Sequence, residues 1–143
     1  MLFRSYDMAI RCRPGYAEAH CNRGLILLRV GREQSAIEDF DAALAQSPDN
    51  AELHQYRAHV LARLSQTEAA LRSYDEALRL APDRVEIIND RGAVQRDSDM
   101  PQAALESFEQ AIRLRPDYAE AWCNRGVLML ELGRIDEIGR AHV

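Results

Sequence analysis

RPGYAEAHCNRG at residues 13–24 recurs as SPDNAELHQYRA at 47–58, APDRVEIINDRG at 81–92 and RPDYAEAWCNRG at 115–126. Pro14, Pro48, Pro82 and Pro116 are thus 34 residues apart, and a fixed period of that length marks an architecture of stacked repeats. Outward from the prolines, other columns keep the same register. Tyr6, Phe40, Tyr74 and Phe108 stand eight residues before a proline, and Ala9, Ala43, Ala77 and Ala111 stand five before. Gly24, Ala58, Gly92 and Gly126 follow at ten, a column where a missing side chain lets two helices approach closely.

Within one period the apolar spacing is helical twice over. A first helix from about Ala17 turns Ala19, Leu27 and Val30 to one side, and Gly31 closes it as a left-handed cap residue would. A second helix from about Glu33 to Gln46 carries Ala36, Ile37, Phe40, Ala43 and Leu44 on one stripe, and Pro48 stops it. Asp49, Asp83 and Asp117 stand three residues before Glu52, Glu86 and Glu120, the spacing of a capping box with Asp as the cap. In the third period the turn becomes Asp99-Met100-Pro101, which puts proline in the first turn of the next helix, where its missing N–H costs little. The reading is an all-α chain, an α-solenoid of antiparallel helix pairs. Residues 17–50, 51–84 and 85–118 are its complete units.

Composition narrows the function. A net charge of −5 and a pI near 5.4 disfavour a nucleic-acid partner, because phosphate binding draws on clustered cations. The basic residues are all Arg, which matches a GC-rich coding bias as well as any use of planar donors. Cys12, Cys21 and Cys123 form no CxxC and suit neither a disulfide framework nor a zinc cage, so free thiols are expected. No run approaches the length of a membrane span, and the opening MLFRSYDMAIRCRP lacks the apolar core of a signal peptide, so a cytoplasmic protein without a membrane partner is expected. His20 and His54 sit in a packing column, and His59 follows His54 by five residues, off its helical face, so no metal site is expected. Repeated residues serve the fold that repeats them, and no catalytic set stands outside the repeat. The chain is expected to hold no cofactor and not to be an enzyme.

A 34-residue helix-turn-helix with small, aromatic, small and proline columns in this order resembles the tetratricopeptide repeat family, as a bacterial-type array, over about residues 1–136. The resemblance implies a right-handed superhelix whose first helices line a concave groove for a peptide or partner helix. It therefore implies a protein–protein interaction scaffold. Groove candidates on those helices are Asn22, Gln55, Tyr56, His59, Arg63, Asn89, Asp90, Arg96 and Asn124. Two columns depart from the family. The bulky first-helix column is Trp122 in the last unit but His20, His54 and Ile88 elsewhere, and the leucine-like column is Arg23, Arg57, Arg91 and Arg125. Those guanidiniums could form a ladder for an acidic peptide, but Asp7, Asp41, Asp75 and Glu109 form an equally regular acidic column in the second helices. Internal pairing of each Arg with the acid of the preceding unit is the expectation.

Two precedents of the family bear on the ligand. The clamp for chaperone C-terminal carboxylates uses Lys and Asn, whereas this chain has no Lys and carries Cys21, Gln55, Asn89 and Cys123 in those columns, so the clamp is not expected. In the repeat arm of O-linked N-acetylglucosamine transferases an inner Asn ladder holds the substrate backbone. Asn22 and Asn124 match that ladder, while Tyr56 and Asp90 interrupt it. A substrate-recognition arm of a larger enzyme of that kind is the second reading, and a spacer without a ligand is the third.

Both ends depart from whole units. Residues 1–16 read as the second helix of a truncated preceding repeat, and residues 119–136 as the first helix of a fourth unit with the start of its second. Ile138 falls where Ala36, Ala70 and Ala104 sit, and Gly139 is expected to break the last helix. One back-translation of residues 137–143, EIGRAHV, reads like a sequencing-library adapter, so this segment is expected to be a non-native tail. Repeat ends without polar caps leave apolar faces bare, so self-association through them is expected.

Overall fold

A computed structural model of the protein describes residues 2–13 and 15–141, and among these residues the chain is helical without a strand. Pro14, the first of the periodic prolines, and His142 and Val143 of the expected tail lie outside the described residues. The helices are α1 (Leu2–Cys12), α2 (Ala17–Arg29), α3 (Glu33–Gln46), α4 (Ala51–Arg63), α5 (Thr67–Leu80), α6 (Val85–Asp97), α7 (Pro101–Leu114) and α8 (Ala119–Ala141). They fall into two compact units, Met1–Pro82 and Asp83–Val143.

In the first unit α2 pairs with α3, and α4 with α5, each pair antiparallel across a three-residue turn. The turn is set by one left-handed residue. Gly31 has φ +76°, and Leu27 C=O accepts from Arg32 N–H at 2.9 Å in the six-to-one bond of a Schellman cap. Ser65 takes the same role 34 residues later at φ +59°, with Gln66 N–H on Leu61 C=O at 2.9 Å. A side chain there is strained by about 1 kcal/mol, so the turn is imposed by the packing of the two helices it joins. That packing is the core of Leu27, Ala36, Ile37, Phe40, Ala43, Leu53, Val60, Leu61 and Ala70. Phe40 is wholly buried, and its ring lies where a Cβ on Gly24 would come within 2.9 Å. The small-over-aromatic column read from the sequence is this contact.

The second unit repeats the scheme. Asp99 is the left-handed residue at φ +59°, and Met100 N–H reaches Gln95 C=O at 2.9 Å. Pro101 stands in the first turn of α7, as its position predicts. Phe108 is wholly buried against Gly92, and Ala104, Phe108 and Leu128 cluster where α7 meets α8.

Three local expectations are corrected. The cap of α4 is Asn50, not Asp49: Asn50 Oδ1 accepts from Glu52 N–H at 3.0 Å and Leu53 N–H at 3.2 Å. Asp49, Asp83 and Asp117 each lie two residues ahead of the first helical residue, because the turn after the proline holds one more residue than a capping box allows. Only Asn50 then offers an oxygen at the cap, since the cap of α6 is Arg84. Val30, read as inward-facing, is 64% exposed because α2 ends at Arg29. Finally, α8 runs without a break from Ala119 to Ala141, through Gly133 and Gly139, where a turn and a helix break were expected. Gly133 stands in the column of Gly31, Ser65 and Asp99, but the residues after it lack the small and aromatic columns that seat a second helix. Continuing the helix costs only about 1 kcal/mol per glycine.

Candidate functional site

The Arg column is spent on the fold. Arg23 Nη1 donates to Asp7 Oδ1 at 2.9 Å, and Arg57 Nε donates to Asp41 Oδ1 at 2.6 Å, so both pair with the acid of the preceding second helix. Arg125 Nη2 lies 3.5 Å from Glu109 Oε1 in the same relation. Arg23 and Arg57 also address the second helix of their own pairs. Arg57 Nη1 donates to Ser73 Oγ at 2.7 Å, and Arg23 donates to both oxygens of Asp39 at 2.7 and 2.6 Å. Asp39 is buried, and His20 Nδ1 sits 2.9 Å from its Oδ1. The two carboxylates hold the Arg23 guanidinium firmly charged, with Asp39 contributing most. This ion network lines an open cavity of about 420 Å³ together with Phe3, Leu27 and Ser35. Sequence spacing showed the column of Asp7 but not Asp39, whose column holds Ser73 and Ser107 in the other pairs and so has no regular charge.

The bulky column is filled as its chemistry allows. His20 is buried on Asp39, whereas His54 Nε2 lies 2.9 Å from Pro48 C=O and Trp122 Nε1 donates to Pro116 C=O at 2.8 Å. Two different rings thus make one bond, each to the proline carbonyl six residues back.

The groove candidates lie on α2, α4, α6 and α8, the first helix of each pair. In the first unit one of them, Asn22, lines a second cavity, of about 390 Å³, between the start of α2 and the start of α4. Asn22 lines it with Tyr16, Glu18, Cys21, Asn50 and Leu53. Burial pushes the Cys21 thiol above its ordinary pKa, and the carboxylates of Glu52 and Glu18 add to the shift. Of the remaining candidates on α4, His59 is exposed, while Tyr56 donates to Glu52 Oε1 at 2.8 Å and packs its ring 5.8 Å from that of Phe40. Arg63 Nη2 donates to Glu33 Oε1 at 2.6 Å. Tyr16 and Asn50 were missed by sequence reasoning because they belong to the turns before the helices, at a position that holds Tyr16, Asn50, Arg84 and Tyr118 and so has no regular chemistry.

In the second unit Asn124 Nδ2 donates to Asn89 Oδ1 at 3.0 Å, joining α8 to α6. Asn89 is 1% exposed, and its Nδ2 has no partner. Arg96 Nε donates to Asp97 Oδ1 at 3.1 Å, and Asp90 is half-buried on α6. Across the pair, Arg115 Nη1 donates to Glu86 Oε1 at 3.1 Å. The Glu86 backbone N–H, with help from Arg115, holds that carboxyl below its ordinary range. Among the described residues no group of His, Cys, Asp and Glu could hold a metal ion, and no helix is long and apolar enough to cross a membrane.

Family models described as tetratricopeptide repeat match residues 17–50 and 51–84, and one described as TPR repeat matches residues 102–133. No curated protein matches in sequence. Among solved structures, MamA is similar with a TM-score of 0.85 at 20% identity, over 96% of this chain and 81% of that one. YrrB, described as a TPR protein with an unusual peptide-binding site, is similar with a TM-score of 0.77 at 24% identity, over 92% of this chain and 68% of that one. The first TPR of Spaghetti (RPAP3), bound to the HSP90 peptide SRMEEVD, is similar with a TM-score of 0.76 at 21% identity, over 82% of this chain and 93% of that one. At these identities the likeness is one of fold.

Proposed function

Because the chain belongs to the tetratricopeptide repeat family, we propose that it is a protein-interaction scaffold that takes an extended peptide or a partner helix against its first helices. The observation that carries this reading is the 390 Å³ cavity at α2 and α4. Its walls combine an apolar floor, Ala17 and Leu53, with the amide of Asn22 and the carboxylate of Glu18. That combination suits a side chain held by burial while its backbone is read by an amide. Two solved relatives of the same fold are described with a peptide or a peptide-binding site, which supports the same use here.

A transferase arm with an inner Asn ladder has less support. Asn22 opens onto the cavity, but Asn124 donates its amide to Asn89, and Tyr56 and Asp90 interrupt the column.

The test is selection from a displayed peptide library on the immobilised chain. Selected peptides should protect Cys21 from alkylation and lose roughly tenfold in affinity, about 1.4 kcal/mol, in Asn22→Ala. A library yielding no enriched peptide, or peptides that leave Cys21 reactive and ignore Asn22→Ala, would remove the reading.

A further inference from the structure

The meeting of α2 with α4 and that of α6 with α8 hold the same place in the repeat, and their side chains differ. Glu18 and Glu86 share one column, at the start of α2 and of α6. In the second unit Glu86 stands between two cations: Arg115 Nη1 donates to its Oε1 at 3.1 Å, and Arg84 Nε lies 3.9 Å from its Oε2. The Arg115 guanidinium also lies 5.4 Å from the centre of the Tyr118 ring. In the first unit the columns of Arg115 and Arg84 hold Ser47 and Tyr16, and neither is a cation. The backbone is not the difference, since Ser47 and Arg115 cap α3 and α7 at φ −135° and −140°. Where Arg115 reaches its glutamate, the short Ser47 borders the cavity of about 390 Å³ that Glu18 also lines.

Building on the peptide-binding reading above, we propose that this cavity takes an arginine side chain of the partner peptide, so that the ligand gives Glu18 the guanidinium that Arg115 gives Glu86 within the chain. Charge selects this occupant. The described residues that line the cavity include Glu18 and no cation. The Glu52 carboxylate acts on the same place from α4, since after burial it is Glu52 and then Glu18 that raise the Cys21 pKa. Arg13 acts on the Tyr16 hydroxyl through space but does not line the cavity. Shape selects it too. Ala17 and Leu53 offer apolar surface to the aliphatic stem of an arginine, and Tyr16, whose hydroxyl donates to Glu18 Oε2 at 2.9 Å, offers a ring beside the carboxylate. An acidic side chain would meet two carboxylates there without a compensating cation, so acidic peptides are rejected.

Selection of a displayed random-peptide library on the immobilised chain, with Cys21 alkylation read by mass spectrometry, tests this. Enriched peptides should share one arginine position, and changing that arginine to methionine should weaken binding about tenfold. Glu18→Gln should cost the arginine peptides about tenfold and their methionine versions less than about twofold, because one interaction is removed from either side. Ser47→Arg should fill the cavity from within, as Arg115 fills its counterpart. Cys21 of that variant should be alkylated about threefold more slowly without any peptide, and arginine peptides should lose affinity. Adding Glu18→Gln to Ser47→Arg should return Cys21 towards its original rate. Enriched peptides that share no arginine, or arginine peptides indifferent to Glu18→Gln, overturn the proposal and leave the peptide-binding reading standing. Cys21 that reacts as fast in Ser47→Arg as in the unaltered chain also overturns it. A library that enriches nothing overturns both.

Discussion

Gly92 and Gly126 occupy one column of the repeat, yet the same substitution at each should move stability in opposite directions. At Gly92 the Cβ of a leucine would lie 2.7 Å from Phe108 Cε1, 2.9 Å from Cδ1 and 3.1 Å from Ser107 Cβ, against a ring with no exposed surface. The remaining side-chain carbons have no space to enter, and overpacking of this kind costs about 3 kcal/mol. Replacing a helical glycine returns about 0.8 kcal/mol through backbone entropy, leaving a net loss of about 2 kcal/mol. At Gly126 nothing lies within 4 Å, so only the gain of about 0.8 kcal/mol remains. For a chain of this size roughly 2–4 °C accompanies each kcal/mol, so Gly92→Leu should lower Tm by about 4–8 °C and Gly126→Leu should raise it by about 2 °C. Thermal melts followed by far-UV circular dichroism, run dilute enough that the chain is single, read both shifts. Equal shifts for the two variants, in either direction, would refute the claim that the Phe108 ring seated on Gly92 holds its helix pair together.

Asp39→Asn removes the buried carboxylate that Arg23 and His20 share while Asp7 still holds one edge of the guanidinium, so urea melts should show a loss of about 2 kcal/mol. An unchanged midpoint would show that Asp39 contributes nothing to the first unit. Because burial raises the Cys21 pKa, less of it is thiolate at a given mildly alkaline pH, so alkylation followed by mass spectrometry should label the exposed Cys12 and Cys123 before Cys21. Raising the pH further should narrow the gap, and labelling of Cys21 first would contradict its placement in the cavity wall.

The 34-residue period was legible in the sequence because a repeat fold imposes the same local demands on every unit. Proline stops each second helix, alanine and an aromatic ring pack at fixed offsets, and a small residue admits the ring. In the first complete repeat the helix bounds followed to within a residue, since Ala17, Glu33 and Gln46 begin or end helices as read. The preference of the Arg column for Asp7, Asp41 and Glu109 was legible for the same reason, as both members of each pair recur.

What does not recur had to be decided by tertiary structure. Asp39 becomes the centre of an ion network only because α2 brings His20 and Arg23 over it, and its own column shows serine elsewhere. Tyr16, Asn22 and Asn50 form one cavity only because α2 and α4 start side by side. Gly133 has the residue type for a left-handed turn, but α8 stays helical there. Periodicity is a one-dimensional signal and specifies which residues face a neighbour. Which neighbour arrives, and what polar groups it brings, is settled only when the helices stack.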